Sequence, residues 1–222
     1  MGTNIQSSLE VVQERIRAAA RRARRDPDGI KLVAVSKTHP VETIRDAISV
    51  GVAALGENKV QEAEAKVLEV GPDQAEWHFL GHLQSNKARK AVELFDVIQS
   101  LDSVTLAKRL ERICIDKGRS ELPVFVEVDL AGESTKSGIG EDDLPQLVRM
   151  LRNCICVRFV GLMALPPYFE DPEDARPYFR RLRELRDELQ ADGAFPDAPG
   201  ELSMGMSHDL KVAIEEGATV VR

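Results

Sequence analysis

The sequence predicts one (β/α)8 barrel, an α/β fold of the TIM type, with an extra N-terminal helix. Three observations predict it. Short apolar runs alternate with helical stretches along nearly the whole chain, as parallel strands covered by helices do. About eight such runs can be read, the number that closes a barrel. The 222 residues, 43% of them hydrophobic, suit one large core and leave no sign of a second domain. The rival is an open doubly wound sheet, but no strand–turn–helix here carries a dinucleotide glycine fingerprint.

Residues 1–25 should form a helix packed on the barrel. Ile5, Leu9, Val12 and Ile16 recur at helical spacing, and Ala19, Ala20 and Ala23 continue the stripe. Its arginines crowd the last turns, where the helix dipole favours them. A basic arm for RNA or membrane is the other reading, but no aromatic anchor accompanies it. After the turn signal Asp26-Pro27-Asp28-Gly29, the apolar run 31–36 reads as the first strand and 41–50 as a helix stopped by Gly51. The runs 52–56 and 76–81 read as the next strands, with a helix over 58–70 between them. Ser85 is a suitable N-cap for the following helix, and Ser103 for the one after strand 97–101. Strands are expected at 123–130 and 157–165, with a polar loop, 131–140, and a helix to about Arg152 between them. The proline-rich loop 166–172 leads into a charged helix ending near Ala191. A glycine-broken strand at 202–206 precedes a short helix capped by Ser207, and 219–222 is the eighth strand.

Composition narrows the function. The net charge is -7, which gives no support to nucleic-acid binding over the whole molecule. No run approaches a membrane span and no secretory core is present. Cys114, Cys154 and Cys156 are sparse and odd in number, which suits reduced thiols in a cytoplasmic protein. The Cys-x-Cys pair reads as packed thiols rather than a metal fragment.

In such barrels the site lies at the C-terminal ends of the strands. Lys37 follows the first strand, where loss of water would lower its pKa and make the amine a nucleophile toward a carbonyl. A lysine that snorkels to solvent is the plain alternative. Gly205 and Ser207 follow the seventh strand and open a helix, an arrangement that can cradle a phosphate; a simple N-cap explains them locally just as well. A nucleophilic lysine across one mouth from a phosphate cradle suggests a ligand with an aldehyde at one end and a phosphate at the other. Pyridoxal 5′-phosphate (PLP) is that ligand, held as a Schiff base on Lys37. Arg222, ending the last strand, can meet the pyridine nitrogen or the phosphate. Asn58 can be a pocket residue or a helix cap. Met163 can form a wall beside a flat ring or simply fill the core. His78 and His82, four apart, are expected on one side of a strand, without an evident third metal ligand.

These residues also carry a resemblance. Ala34-Val35-Ser36-Lys37-Thr38, Gly56-Glu57-Asn58-Lys59-Val60-Gln61-Glu62, Trp77-His78-Phe79-Leu80-Gly81-His82-Leu83-Gln84, Gly161-Leu162-Met163 and Leu202-Ser203-Met204-Gly205-Met206-Ser207 are similar to motifs of the PLP homeostasis proteins. Their barrel is similar to that of bacterial alanine racemase without its second domain. The resemblance implies a PLP-binding protein without established turnover that buffers PLP or delivers it to apo-enzymes. It implies Lys37 as the Schiff-base lysine, Ser207 as a phosphate ligand, Arg222 as the partner of the pyridine nitrogen and Asn58 in the pocket. It also implies further phosphate donors beyond Arg222, where the sequence given ends. A monomer is expected.

The alternative is a PLP-dependent amino-acid racemase. An arginine at the pyridine nitrogen leaves the ring a weaker electron sink than an acidic partner would. Racemisation also needs a base on the opposite ring face. Tyr168, after the sixth strand, is the candidate, since Tyr178 reads as helix. A class I aldolase using Lys37 directly is a third reading.

Overall fold

A computed structural model describes residues 5–132 and 137–222. The expected polar loop 131–140 therefore lies partly outside the described residues. Nine parallel strands form one nearly closed barrel: β1 (Lys31–Leu32), β2 (Ala34–Val35), β3 (Ala54–Glu57), β4 (Glu76–Phe79), β5 (Val97–Leu101), β6 (Leu122–Glu127), β7 (Val157–Met163), β8 (Glu201–Ser203) and β9 (Val220–Val221). The order β1-β9-β8-β7-β6-β5-β4-β3-β2 runs round the ring. The count exceeds the expected eight because the run 31–36 is divided. β1 pairs with β9 and β2 with β3, so the chain changes neighbour at Val33. The Val33 amide still donates to Val221 O at 2.9 Å. The two short pieces act as one barrel strand shared between the chain's last strand and its second.

The helices are α1 (Ile5–Arg22), α2 (Val41–Ser49), α3 (Val60–Val70), α4 (Ala88–Leu94), α5 (Val104–Lys117), α6 (Leu144–Leu151), α7 (Arg176–Ala191) and α8 (Leu210–Glu215). Each strand alternates between two apolar layers. Leu55, Ile98, Val124 and Leu162 belong to the large cluster between strands and helices. Val33, Ala54, Val97, Phe125, Met163 and Val220 form a smaller one inside the ring.

Two expected caps differ. Ser103 does cap α5, accepting from the Leu106 amide at 3.3 Å. Ser85 instead begins a 3-10 turn ahead of α4, with no side-chain cap bond. Ser207 does not cap α8 either. Asp209 accepts from the Met206 amide at 2.6 Å and α8 starts at Leu210, which leaves Ser207 in the turn.

The N-terminal helix α1 packs against α8, and the arginines of residues 15–25 serve the fold. Arg25 donates to Ile214 O at 2.7 Å, Arg22 pairs with Glu215 at 3.1 Å and Arg15 donates to Ser207 O at 2.6 Å. Ile16, Ala19 and Ala20 are buried beneath them. Cys114 and Cys156 are buried and Cys154 is partly buried. Burial pushes Cys114 up to about 11 and Cys154 up to about 12, which makes these thiols inert.

The close pairing of β7 with β8 depends on Gly161. A Cβ there would lie 2.2 Å from Glu201 O, a backbone atom that cannot swing aside. Gly161→Ala should therefore cost about 1–3 kcal/mol, the range for overpacked interiors, in urea unfolding. Unchanged stability would show that the two strands can separate freely.

Candidate functional site

The C-terminal strand ends bring Lys37, Asn58, Ser207 and Arg222 to the wall of one cavity of about 470 Å³, with Leu80 and Met206 between them. Ile5, Leu9 and Val12 of α1 close one side of it. Lys37 is exposed, contrary to the desolvated lysine expected. It stands two residues past the end of β2, at the rim rather than in the ring. Its ammonium has no carboxylate partner among the described residues.

The turn that carries Lys37 is built with care. Thr38 has φ 66°, the left-handed region that a β-branched residue rarely enters. Its amide is held by Glu62 Oε1 at 2.6 Å. Beneath the turn lies Lys66, whose Nζ donates to Ser36 O at 2.7 Å, Glu57 Oε1 at 2.7 Å and Glu62 Oε1 at 2.8 Å. Ser36 Oγ adds a bond to Glu57 Oε1 at 2.7 Å. Burial works to lower the Lys66 pKa, but Glu57 and Glu62 outweigh it and the net shift is upward. The two lysines thus have opposite roles: Lys66 is buried and fully engaged, and Lys37 is free. Strain held by a surrounding network marks a site whose geometry matters.

Across the mouth, the Ser207 hydroxyl and amide and the His208 amide have no acceptor among the described residues. Arg222 is buried. It donates from Nη1 to Ser203 Oγ at 3.2 Å and from Nη2 to Ala164 O at 3.1 Å. Its Nε has no partner, and burial brings its pKa down to about 10. Asn58 is half-buried, and its backbone passes so close to Gly81 that a Cβ there would meet Asn58 O at 2.2 Å.

Met163 and Gly205 do not line the cavity. Met163 is fully buried in the inner cluster below it. Gly205 has φ 93°, and a Cβ on it would come within 2.5 Å of the Ala213 Cβ. Its bareness makes room for α8, while its carbonyl receives the Arg222 amide at 3.0 Å. His78 and His82 part company as well. His78 is buried in β4, whereas His82 lies past its end, exposed, 3.1 Å from Asp102. No group of three metal-ligating side chains occurs among the described residues.

Sequence reading missed three buried polar positions, Lys66, Gln99 and Glu127. Lys66 left one legible trace, its four-residue spacing from Glu62 on α3; its bond to Glu57 comes only with the fold. Gln99 reads as an ordinary strand residue. Glu127, at the end of β6, is buried with Oε2 unpartnered. Burial and then Asp102 push it up to about 7, against the pull of Arg222.

The donor set suits a ligand with an aldehyde, a phosphate and a ring nitrogen: a free amine, free N–H and O–H donors, and a buried guanidinium whose Nε has no partner among the described residues. The barrel is of a recognised class, since the family described as alanine racemase, N-terminal domain, matches residues 7–222. A pyridoxal phosphate homeostasis protein of Aquifex aeolicus is 45% identical over 214 residues, covering 96% of this chain and 92% of that one. PipY of Synechococcus elongatus, solved with PLP bound, superposes with a TM-score of 0.78 at 41% identity, covering 95% of this chain and 96% of that one. A protein of Bifidobacterium adolescentis reaches a TM-score of 0.88 at 33% identity, covering 99% and 92%. The chain belongs to the family of pyridoxal phosphate homeostasis proteins. No helix among the described residues is long and apolar enough to cross a membrane.

Removing one member of a buried ion pair strands the other at a cost of about 3–5 kcal/mol. Lys66→Met should lose stability on that scale in urea unfolding, and Glu57→Gln added to it should restore part. Wild-type stability in the single variant would mean that the buried network does not hold the turn.

Proposed function

We propose that the protein binds PLP in the mouth cavity, holds it as a Schiff base on Lys37, and buffers or delivers it without turnover of its own. The observation that carries this reading is one cavity lined by Lys37, which has no carboxylate partner among the described residues, by Ser207 with its free donors, and by Arg222, whose buried Nε has no partner there. The relative PipY, solved with PLP bound, supports it.

When bound, PLP supplies an electrophilic aldehyde and a ring that can draw electrons. The Lys37 amine adds to the aldehyde carbon, and one water leaves as the C=N bond forms. Water reverses the step, which is all that release to an apo-enzyme requires. The exposure of Lys37 suits such exchange. Ser207 donates to the phosphate from its hydroxyl, and Asn58 flanks the pocket. Arg222 donates its Nε–H to the ring nitrogen. An arginine has no proton to give up at neutral pH, so the nitrogen stays unprotonated. Met163 backs the site from inside the ring, and Gly205 sets the turn that presents Ser207. A monomeric cytoplasmic carrier completes the reading.

A racemase is the second reading, favoured by the family's kinship with alanine racemase. Tyr168, the candidate second base, is 73% exposed and packs on His208 at 5.3 Å between ring centroids. It is therefore not among the residues lining the cavity.

Added PLP should give a yellow complex that Lys37→Ala cannot form, followed by absorbance titration. A yellow Lys37→Ala complex of equal affinity would remove the proposed anchor. Ser207→Ala should keep the fold and weaken PLP binding by roughly 1.5–3 kcal/mol, the value of a hydrogen bond to a charged group. An unchanged dissociation constant would leave Ser207 a mere turn residue. Deuterium wash-in at the α-carbon of alanine, serine or glutamate should be negligible, since missing acid–base help costs about 10²–10⁴-fold. Rapid exchange, lost in both Lys37→Ala and Tyr168→Phe, would establish the racemase instead.

A further inference from the structure

A column of buried polar side chains runs down the barrel interior from Arg222, away from the cavity. Arg222 Nη1 meets Ser203 Oγ at 3.2 Å, Ser203 Oγ meets Gln99 Oε1 at 2.6 Å, and Gln99 Nε2 meets His78 Nδ1 at 2.7 Å. His78 Nε2 then stands 3.2 Å from Glu76 Oε2, and Lys31 Nζ reaches the same carboxylate oxygen at 2.7 Å. Ser203 and Gln99 are fully buried and His78 is nearly so. None of the three lines the cavity.

We propose that Ser203, Gln99 and His78 are positioning residues of the binding site, forming a one-way hydrogen-bond chain that fixes the Arg222 guanidinium with Nε–H facing the ligand. The direction follows from the Arg222 end, since a guanidinium can only donate. Ser203 Oγ accepts from Arg222, so its own hydrogen goes to Gln99 Oε1. The Gln99 amide thus turns its Nε2–H to His78 Nδ1, which must carry no hydrogen. The imidazole hydrogen then sits on Nε2, which has no hydrogen-bond partner among the described residues and stands 3.2 Å from Glu76 Oε2. With Nη1 and Nη2 held by Ser203 and Ala164, Nε is the guanidinium nitrogen without a partner among the described residues. Pairing in an interior of low dielectric makes each link depend on the next.

This inference rests on the reading that Arg222 meets a ring nitrogen, but part of its test does not. Nitrogen-15 NMR of the full chain, before and after PLP is added, should show His78 protonated at Nε2 and bare at Nδ1. An Nδ1–H tautomer in the wild type overturns the chain whatever the protein binds. Gln99→Glu at pH 8 keeps an acceptor for Ser203 and removes the donor for His78. It should put a hydrogen on His78 Nδ1; an unswitched tautomer also overturns the chain. Ser203→Ala and Gln99→Leu should weaken PLP binding about tenfold, with a cooperative unfolding transition confirming the fold. Unchanged affinity in these folded variants would reduce the column to packing. Failure of the wild type to bind PLP would instead refute the proposed function, and the tautomer measurements would still decide the chain.

Discussion

The closure of the ring at Val33 is the constraint on which the rest of the site depends. A parallel barrel has no free edge only if its first and last strands meet. Here β1 lies against β9 while β2, two residues on, lies against β3. That seam puts the residue after the first strand and the residue after the last one at the same mouth, though they are far apart in sequence. Lys37 and Arg222 share a cavity for this reason. The same seam leaves the outside of β1 to be covered by α1, whose Leu9 and Val12 reach the cavity wall.

Charge is distributed around that seam with a clear division of labour. One cation, Lys66, is buried and spent on two carboxylates and a carbonyl. A second, Arg222, is buried and held by two acceptors, with Nε unpartnered among the described residues. Lys37 has no carboxylate partner among the described residues. Desolvating a charge is costly unless it is paired, so the two buried cations define rigid ground, and the unpaired one is left where water still reaches it. A lysine that must form and release a covalent bond is better served at the rim than in the core. Its backbone, rather than its ammonium, is what the protein holds tightly.

Much of this was legible in the sequence. The alternation of apolar runs and helical stretches placed the strands within a few residues, because a parallel sheet covered on both sides writes its strands as apolar runs. Ser103 announced the start of α5, and Lys37, Asn58, Ser207 and Arg222 stood out as polar groups at strand ends. The illegible parts share one physical cause: they depend on groups brought together by closure. Val33 divides the first strand because its neighbours on either side differ, which no local pattern records. α8 starts at Leu210 rather than just after Ser207, with Asp209 tied back to the Met206 amide. Lys66 and Gln99 became visible only when Glu57, His78 and Ser203 arrived from other strands. Met163 and Gly205 sat at the right height in the chain but face the inner core and α8.

The central claim is that the free amine of Lys37 is the covalent anchor for PLP. Borohydride reduction of the wild-type complex, followed by mass spectrometry of its peptides, tests it directly, because reduction makes the linkage permanent where it formed. The account predicts one phosphopyridoxyl group per chain, on the peptide bearing Lys37, with Lys66 unmodified. A label on Lys66 or on a surface lysine, with Lys37 bare, would contradict it.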